Sequence, residues 1–531
     1  MLAETSSGYI ERDQQGTASS FNYNYWSSPV APQGTANNSP YTVQKVLRDG
    51  SNSANPIPLV FNNSFQFADW KYSGAKRISS YWLHIYTNNT SNTYSQWQHV
   101  GETGTIKAAE GYSMKGTSGS AKISDRQNYT FIGKPNNGTI ELTLDAGNDY
   151  LIGNPYPSAI DSEKFILDNL SSSGGNNTQN IFNGTIYFWD HFSGKSHYLK
   201  EYVGGYATLN LSGGVVAVAT DERINANGET AEDNSVPLQY IPVGQAFIVS
   251  TQITNKISET ISGGNIIFQN TQRIFKTDDQ AGDESIFKNH ENDKPDTKNG
   301  DKRPKIFLYF KSPQGYVRQL LVTHDIRSTS SFDLGFDAPL IENNKEDMYW
   351  MIDSIKSVIQ GVPDFDKQRI LPLGVKIKDD GEFSISIDTI LNLPDDFRIY
   401  IKDSVTETIH DLRESAYATS ATGGSINNRF TIVFTKEVPE VEEEKPIEEI
   451  PTGLFELYYS SSNNEIGIKN PRLQMIKSGA VYNILGQKIQ EFHNIPLEKL
   501  IRLPVIDIPE GVYIMKLRLE EGNSAIKFIK E

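Results

Sequence analysis

There is no cysteine among the 531 residues. That excludes disulfides, thiolate metal sites and a cysteine nucleophile. It also suits a chain that crosses an oxidising compartment without mispairing. Positive charge is scarce: 49 Lys plus Arg stand against 65 Asp plus Glu, a formal charge of −16. Phosphate backbones need clustered cations, so nucleic acid is not expected as a partner. Long apolar runs are missing too, and no segment approaches the roughly 18 consecutive apolar residues of a membrane helix. None of His84, His99, His191, His197, His290, His324, His410 and His493 forms an HExxH or another close pair with metal spacing. No GxSxG elbow, phosphate-cradling glycine loop or catalytic-carboxylate pattern stands out. The chain is therefore read as a non-enzyme with no catalytic, cofactor-binding or metal residues.

What is plentiful is Tyr, Phe, Thr, Ser, Asn and Gly, which argues for an all-β chain. The length is too great for one ordinary core. Residues 1–20 read as an N-terminal extension. In 21–277, short apolar runs recur between turn signals. Asn136-Asn137-Gly138 is a tight hairpin signal between two of them, and Asn154-Pro155-Tyr156-Pro157 is a rigid break. One short helix is expected over 162–170, capped at Asp161 or Ser162, with Phe165, Ile166 and Leu170 on one face. Many strands and one helix predict a jelly-roll-like β-sandwich. Residues 278–303 are rich in Asp, Asn, Lys and Glu and read as a polar linker. Residues 304–436 carry further strand-like runs, with Pro313-Gln314-Gly315 as a hairpin turn. They predict an immunoglobulin-like β-sandwich. Residues 437–451 intersperse Pro439, Pro446 and Pro451 with Glu440, Glu442, Glu443, Glu444, Glu448 and Glu449. Like charges repel and proline blocks pairing, so this acidic linker is expected to be extended and open to a processing protease.

The C-terminal block, 452–531, organises the reading. Ala480, Tyr482 and Ile484 alternate with Val481, Asn483 and Leu485, a strand period. Leu485-Gly486-Gln487 supplies a turn. Glu510-Gly511 is a second turn, and Glu520-Glu521-Gly522-Asn523 a hairpin-like break before the last strand. Short strands between glycine turns predict a small antiparallel sandwich. Three segments stand in order: Val481-Tyr482-Asn483-Ile484-Leu485-Gly486-Gln487-Lys488, then Gly511-Val512-Tyr513-Ile514-Met515-Lys516-Leu517, then Lys527-Phe528-Ile529-Lys530-Glu531. Together they closely resemble the type A C-terminal sorting domain of Bacteroidetes proteins exported by the type IX secretion system. The aromatic-Pro-Asn-Pro opening common in that family is replaced here by Phe455-Glu456-Leu457-Tyr458-Tyr459-Ser460.

The resemblance covers only this block, and it implies an address and a route. The protein would pass through the periplasm and be secreted to the cell surface, at the outer-membrane exterior. Its partners would be the type IX outer-membrane translocon, a substrate-shuttle barrel protein and a sortase-like signal peptidase. Gly486, Gly511, Tyr513, Lys516, Lys527, Phe528 and Lys530 match the motif and are the expected sorting-signal residues. Segments of the first block, among them Tyr25-Trp26-Ser27-Ser28-Pro29 and Gly153-Asn154-Pro155-Tyr156-Pro157, resemble parts of large flavobacterial surface proteins. The expected function is the C-terminal part of an adhesin-like or gliding-associated surface protein. The alternative is a carbohydrate-binding protein, with a surface glycan as partner, or a polysaccharide-degrading enzyme whose catalytic domain lies upstream. Met1-Leu2-Ala3-Glu4-Thr5 leads into polar residues rather than an apolar h-region. A mature form or a C-terminal fragment is therefore expected.

Remaining candidates have ordinary explanations. His191 and His197, near Asp190, read as surface or turn residues. Asp221, Glu222, Asn225, Asn227, Gly228, Glu229, Glu232 and Asp233 form an oxygen-rich stretch. Its spacing does not fit the twelve-residue calcium loop, so a solvated loop is expected, with calcium as the alternative. Asp333, Asp337 and Asp347 are weighed the same way. The six tryptophans and many tyrosines are core residues by the simplest account. An exposed cluster of them would stack on sugar rings.

Overall fold

A computed structural model describes residues 7–90, 96–122, 125–172, 174–193, 195–198, 201, 203–218, 236–253, 260–275, 301–436, 455–460, 465–483, 488–493, 495–505, 511–519 and 523–530. The chain is all-β, as expected, and divides into two compact units, Met1–Lys436 and Glu437–Glu531.

The first half of the larger unit is a set of small sheets, antiparallel except for the two-stranded parallel pair Val60–Asn62 and Arg77–Ser79. Strand Arg126–Pro135 pairs with Ile10–Thr17, Leu47–Asp49 and Val30–Ala31. Strand Tyr112–Lys115 lies between Tyr23–Trp26 and His84–Ile85, with Gln98–His99 beyond. Trp26, Tyr41, Leu83, Tyr112, Tyr129 and Phe131 fill one buried cluster from these sheets. A third sheet runs Asp149–Gly153, Ala246–Ser250, Ile186–Ser193, Val203–Asn210, Gly213–Val215. The expected helix is Ser162–Asp168. The Asp161 carboxylate caps it by accepting from the N–H groups of Glu163 and Lys164. Phe165 packs on Phe247 and Phe268, with ring centroids 5.6 and 4.9 Å away.

The hairpin expected at Asn136-Asn137-Gly138 does not form. The chain does turn there, with Gly138 at φ 79°. But Arg126–Pro135 pairs with Ile10–Thr17, while Ile140–Leu144 pairs with Gly264–Phe268. The reason lies in Asn136. Its buried amide donates to the carbonyls of Ser28 and Pro155, which ties the turn to distant segments.

Residues 305–433 form one eleven-stranded sheet, in the order Thr408–Asp411, Tyr400–Asp403, Gly424–Val433, Ile370–Ile377, Asp347–Ile352, Ile355–Val362, Val317–His324, Lys305–Lys311, Gly381–Leu391, Tyr417–Ala421, with Ala338–Pro339 joined to Ile355–Val362. The hairpin at Pro313-Gln314-Gly315 is present, with Gly315 at φ 86°. Strands Val317–His324 and Ile355–Val362 run parallel. The sheet curls until its ends meet. Tyr417 donates its hydroxyl to Asp403 at 2.8 Å, and Arg429 holds the same carboxylate at 2.8 and 2.7 Å. Arg429 also reaches Thr419 and Ser420 of the opposite end strand. Inside lie Phe307, Leu320, Trp350, Leu373, Ile385 and Phe430.

The two blocks on either side of the 278–303 stretch pack directly on each other within Met1–Lys436. Val215 belongs to the core of the later block, and Phe336 to that of the earlier one. Thr323 donates to the Ser212 carbonyl and Ser212 to the Phe336 carbonyl, at 2.9 and 2.7 Å. Buried Arg318 pairs with Asp347 and Glu342, and Glu342 accepts from the Tyr206 N–H at 3.0 Å.

The described residues of the smaller unit form two sheets. One is Glu456–Ser460, Glu465–Lys469, Leu500–Pro504. The other is Lys488–His493, Ile476–Asn483, Gly511–Leu519, Asn523–Lys530. Their inner faces share Phe455, Ile466, Ile468, Val481, Ile501, Met515, Leu517 and Phe528 as a core of the unit's own.

Candidate functional site

Six of the seven sorting-motif residues lie on the last two strands of the smaller unit. Tyr513 and Phe528 are opposite one another in the pairing and both buried. Their rings stack at 5.6 Å between centroids, and Phe528 faces Tyr459 of the other sheet at 6.3 Å. These rings therefore help hold the two sheets together. Lys527 points outward and is exposed. Lys530 places its ammonium 5.4 Å from the Tyr459 ring centroid, and Lys516 lies 5.1 Å from that of Tyr482. Gly511 opens its strand opposite Lys530. A Cβ there would meet only the Tyr513 ring, at ordinary contact distance. Gly486 lies outside the described residues. The described motif residues form a basic rim over an aromatic core.

The other sequence candidates are engaged elsewhere or undescribed. Residues 221–233 lie outside the described residues. Asp347 is bound to Arg318, Asp333 accepts from Thr329, and Asp337 accepts from the N–H groups of Asp333 and Gly361. Asp337 is wholly buried, and burial raises its pKa well above the usual carboxylate range.

A constellation that spacing does not reveal lies in the larger unit. His197 bonds to Asp69 and Lys115, and neither contact involves Asp190. His197 Nε2 is 2.9 and 3.1 Å from the two Asp69 carboxylate oxygens. A carboxylate can only accept, so Nε2 carries the proton and Nδ1 is left as the acceptor. Lys115 Nζ lies 3.0 Å from that Nδ1. The amine also sits 3.8 Å from the Trp82 ring centroid and 4.7 Å from that of Tyr23. Burial pushes the Lys115 pKa down to about 6, against the pull of Asp69. Burial and the adjacent amine lower that of His197, again against Asp69.

Aromatic rings surround this chain of contacts. Trp82 stacks on His197 at 5.0 Å, Phe65 meets His197 edge-on at 5.8 Å, and Phe65 and Tyr81 lie 6.3 Å apart. Trp82 donates its indole N–H to the Phe65 carbonyl at 2.8 Å. Arg77 lies against Tyr72 and Phe67, 3.3 and 5.0 Å from their centroids, which steadies the same loop. Phe65, Trp70, Tyr81 and Tyr198 are nonetheless 47, 66, 45 and 70 % exposed. Asp69 and His197 stand 128 residues apart. The only trace in the sequence is the density of rings at Phe65, Phe67, Trp70 and Tyr72.

The fold and this site define an all-β protein whose larger unit carries an exposed aromatic cluster. The chain belongs to the family described as a domain of unknown function, DUF8693, whose model matches residues 62–434. The matched span includes Phe65, Asp69, Tyr81, Lys115 and His197 and stops short of the smaller unit. No curated protein and no solved structure matches the chain.

Proposed function

We propose that the chain is the C-terminal part of a secreted cell-surface protein, adhesin-like or gliding-associated, and that residues 452–531 are its sorting domain for the type IX secretion system. One observation carries the reading. The six described motif residues fall on adjacent strands of a small sandwich with its own core, with the rings inside and Lys527 outside. The translocon and its substrate-shuttle barrel would dock on that sandwich and its basic rim. The sortase-like peptidase would act at the Pro/Glu stretch before it. The larger unit would be the surface-exposed cargo, and no catalytic step is assigned to it.

Export tests the proposal. Deleting 511–531 removes two adjacent strands and the core residues Tyr513, Met515, Leu517, Leu519 and Phe528. What remains has an unpaired edge and half a core. The larger unit keeps its own cores, so it should stay folded but be retained in the cell envelope. Lys527→Glu with Lys530→Glu is the milder form, reversing charge while leaving the core intact. Cell fractionation with detection of the larger unit reads the outcome. Normal surface amounts of the truncated protein would sink the sorting-domain reading.

A further inference from the structure

We propose that the exposed rings around Asp69 and His197 form a binding site for a neutral pyranose oligosaccharide, with Phe65 and Tyr81 as its stacking platform. The proposal does not depend on the route of export.

Of the six exposed aromatic side chains described in the larger unit, Phe65 and Tyr81 contact this cluster through His197 and Trp82, and two more adjoin it in sequence; the other two are Tyr9 and Phe275. Phe65 and Tyr81 are in edge contact with each other. Trp70 and Tyr198 directly follow Asp69 and His197, which are bonded together. Leaving four large rings in water has a cost of apolar exposure that a bound ligand would remove.

Beneath the rings the cluster is polar and fixed. Asp69 accepts from His197 and from the Ser20 hydroxyl at 3.0 Å. A carboxylate has about four acceptor positions, so it retains capacity for a ligand hydroxyl, and its side chain is 11 % exposed. Its geometry is held by His197, which Lys115 and Trp82 hold in turn. A site of this kind is ready-made rather than assembled on binding.

The chemistry selects among ligands. The negative face of an aromatic ring attracts polarised C–H groups, and one face of a pyranose presents such groups while its edge presents hydroxyls. The Lys115 amine already occupies the faces of Trp82 and Tyr23, so those two rings are closed to a ligand cation, and choline tests the rings that remain. Anions are disfavoured by the Asp69 carboxylate. A purely apolar partner would leave that carboxylate unmatched. A neutral polyhydroxylated ring satisfies both layers.

The test is calorimetric titration of the full chain with cellohexaose, xylohexaose, mannohexaose, galactohexaose and chitohexaose, with glucose and choline chloride alongside. At least one hexasaccharide should bind, more tightly than glucose, because successive sugar units can reach successive rings. Choline should not bind. Phe65→Ala, Tyr81→Ala and Trp70→Ala should each weaken the association by about tenfold or more. Phe275→Ala, which removes a still more exposed ring elsewhere, should leave it unchanged. Trp70→Ala and Phe275→Ala remove largely exposed rings and should leave the thermal midpoint at the parent value, while Phe65→Ala and Tyr81→Ala, whose rings are about half covered, should lower it only slightly. Binding by no hexasaccharide, or by the Phe65→Ala/Tyr81→Ala variant as strongly as by the parent, overturns the site. Loss of binding in Phe275→Ala alone would place it elsewhere. Binding by choline in preference to sugar would overturn the ligand class.

Discussion

Asp403 shows how single residues set the stability of the large sheet. It is fully buried where the sheet closes. Burial alone would raise its pKa, but the hydrogen bonds from Arg429, Tyr417 and the Val405 N–H outweigh it and hold the carboxyl well below the usual range. Asp301 and Asp325 are lowered against their own burial by Arg303 and Arg327 in the same way. A carboxylate whose pKa is lower folded than unfolded adds stability above the unfolded value, about 3.9. That stability is lost as pH falls below it toward the folded pKa. Urea unfolding of the larger unit should therefore show a steep loss of stability below about pH 4. Asp403→Asn should be less stable at pH 7 and should show a shallower acid slope. An unchanged slope would mean that Asp403 is not depressed. The pairing was not legible in the sequence, because Asp403 and Arg429 are 26 positions apart on different strands.

Elements were legible where their signals are local. The helix at Ser162–Asp168 follows from its cap and one apolar face, and the turn at Pro313-Gln314-Gly315 joins strands that do pair. Elements were hidden where distant partners decide. Asn136-Asn137-Gly138 turns without a hairpin, and the parallel pairing of Val317–His324 with Ile355–Val362 leaves no periodic trace. The site was hidden for the same reason: its residues come from four segments, around Ser20 and Tyr23, Phe65 to Trp82, Lys115 and His197, that meet only in the folded protein. The contact between the two halves of the larger unit is of this kind too, and Gly184 lies in it against Gly335. Gly184 sits at φ 77°, and a Cβ there would lie 2.4 Å from the Gly335 Cα. Gly147 has φ 79° but faces open space. Both alanine variants carry the left-handed penalty of roughly 1–2 kcal/mol. Gly184→Ala adds a backbone clash, so it should be clearly the more destabilising of the two in urea titrations. Equal losses would show that the backbones can separate there at no cost.

At the scale of the molecule the question is which parts fold together. The composition of 278–303 suggests a joint between two independent sandwiches, yet the residues on either side share cores. Val215 fills space among the side chains of the eleven-stranded sheet, and Leu211 and Ser212 supply carbonyls to Arg303 and Thr323. Without the earlier block, Thr323 would lose its acceptor, and the sheet face that Val215 covers would be open to water. Residues 1–436 should therefore unfold in a single calorimetric transition, with calorimetric and van't Hoff enthalpies agreeing. Residues 304–436 expressed alone should show no cooperative transition near that midpoint. The smaller unit has a separate core, and the Pro/Glu composition before it predicts an extended segment. Limited proteolysis should accordingly cut first between Lys436 and Phe455, leaving the larger unit whole. Two resolved transitions within 1–436, or a fragment 304–436 as stable as the whole, would show that the shared contacts join two domains that each fold without the other.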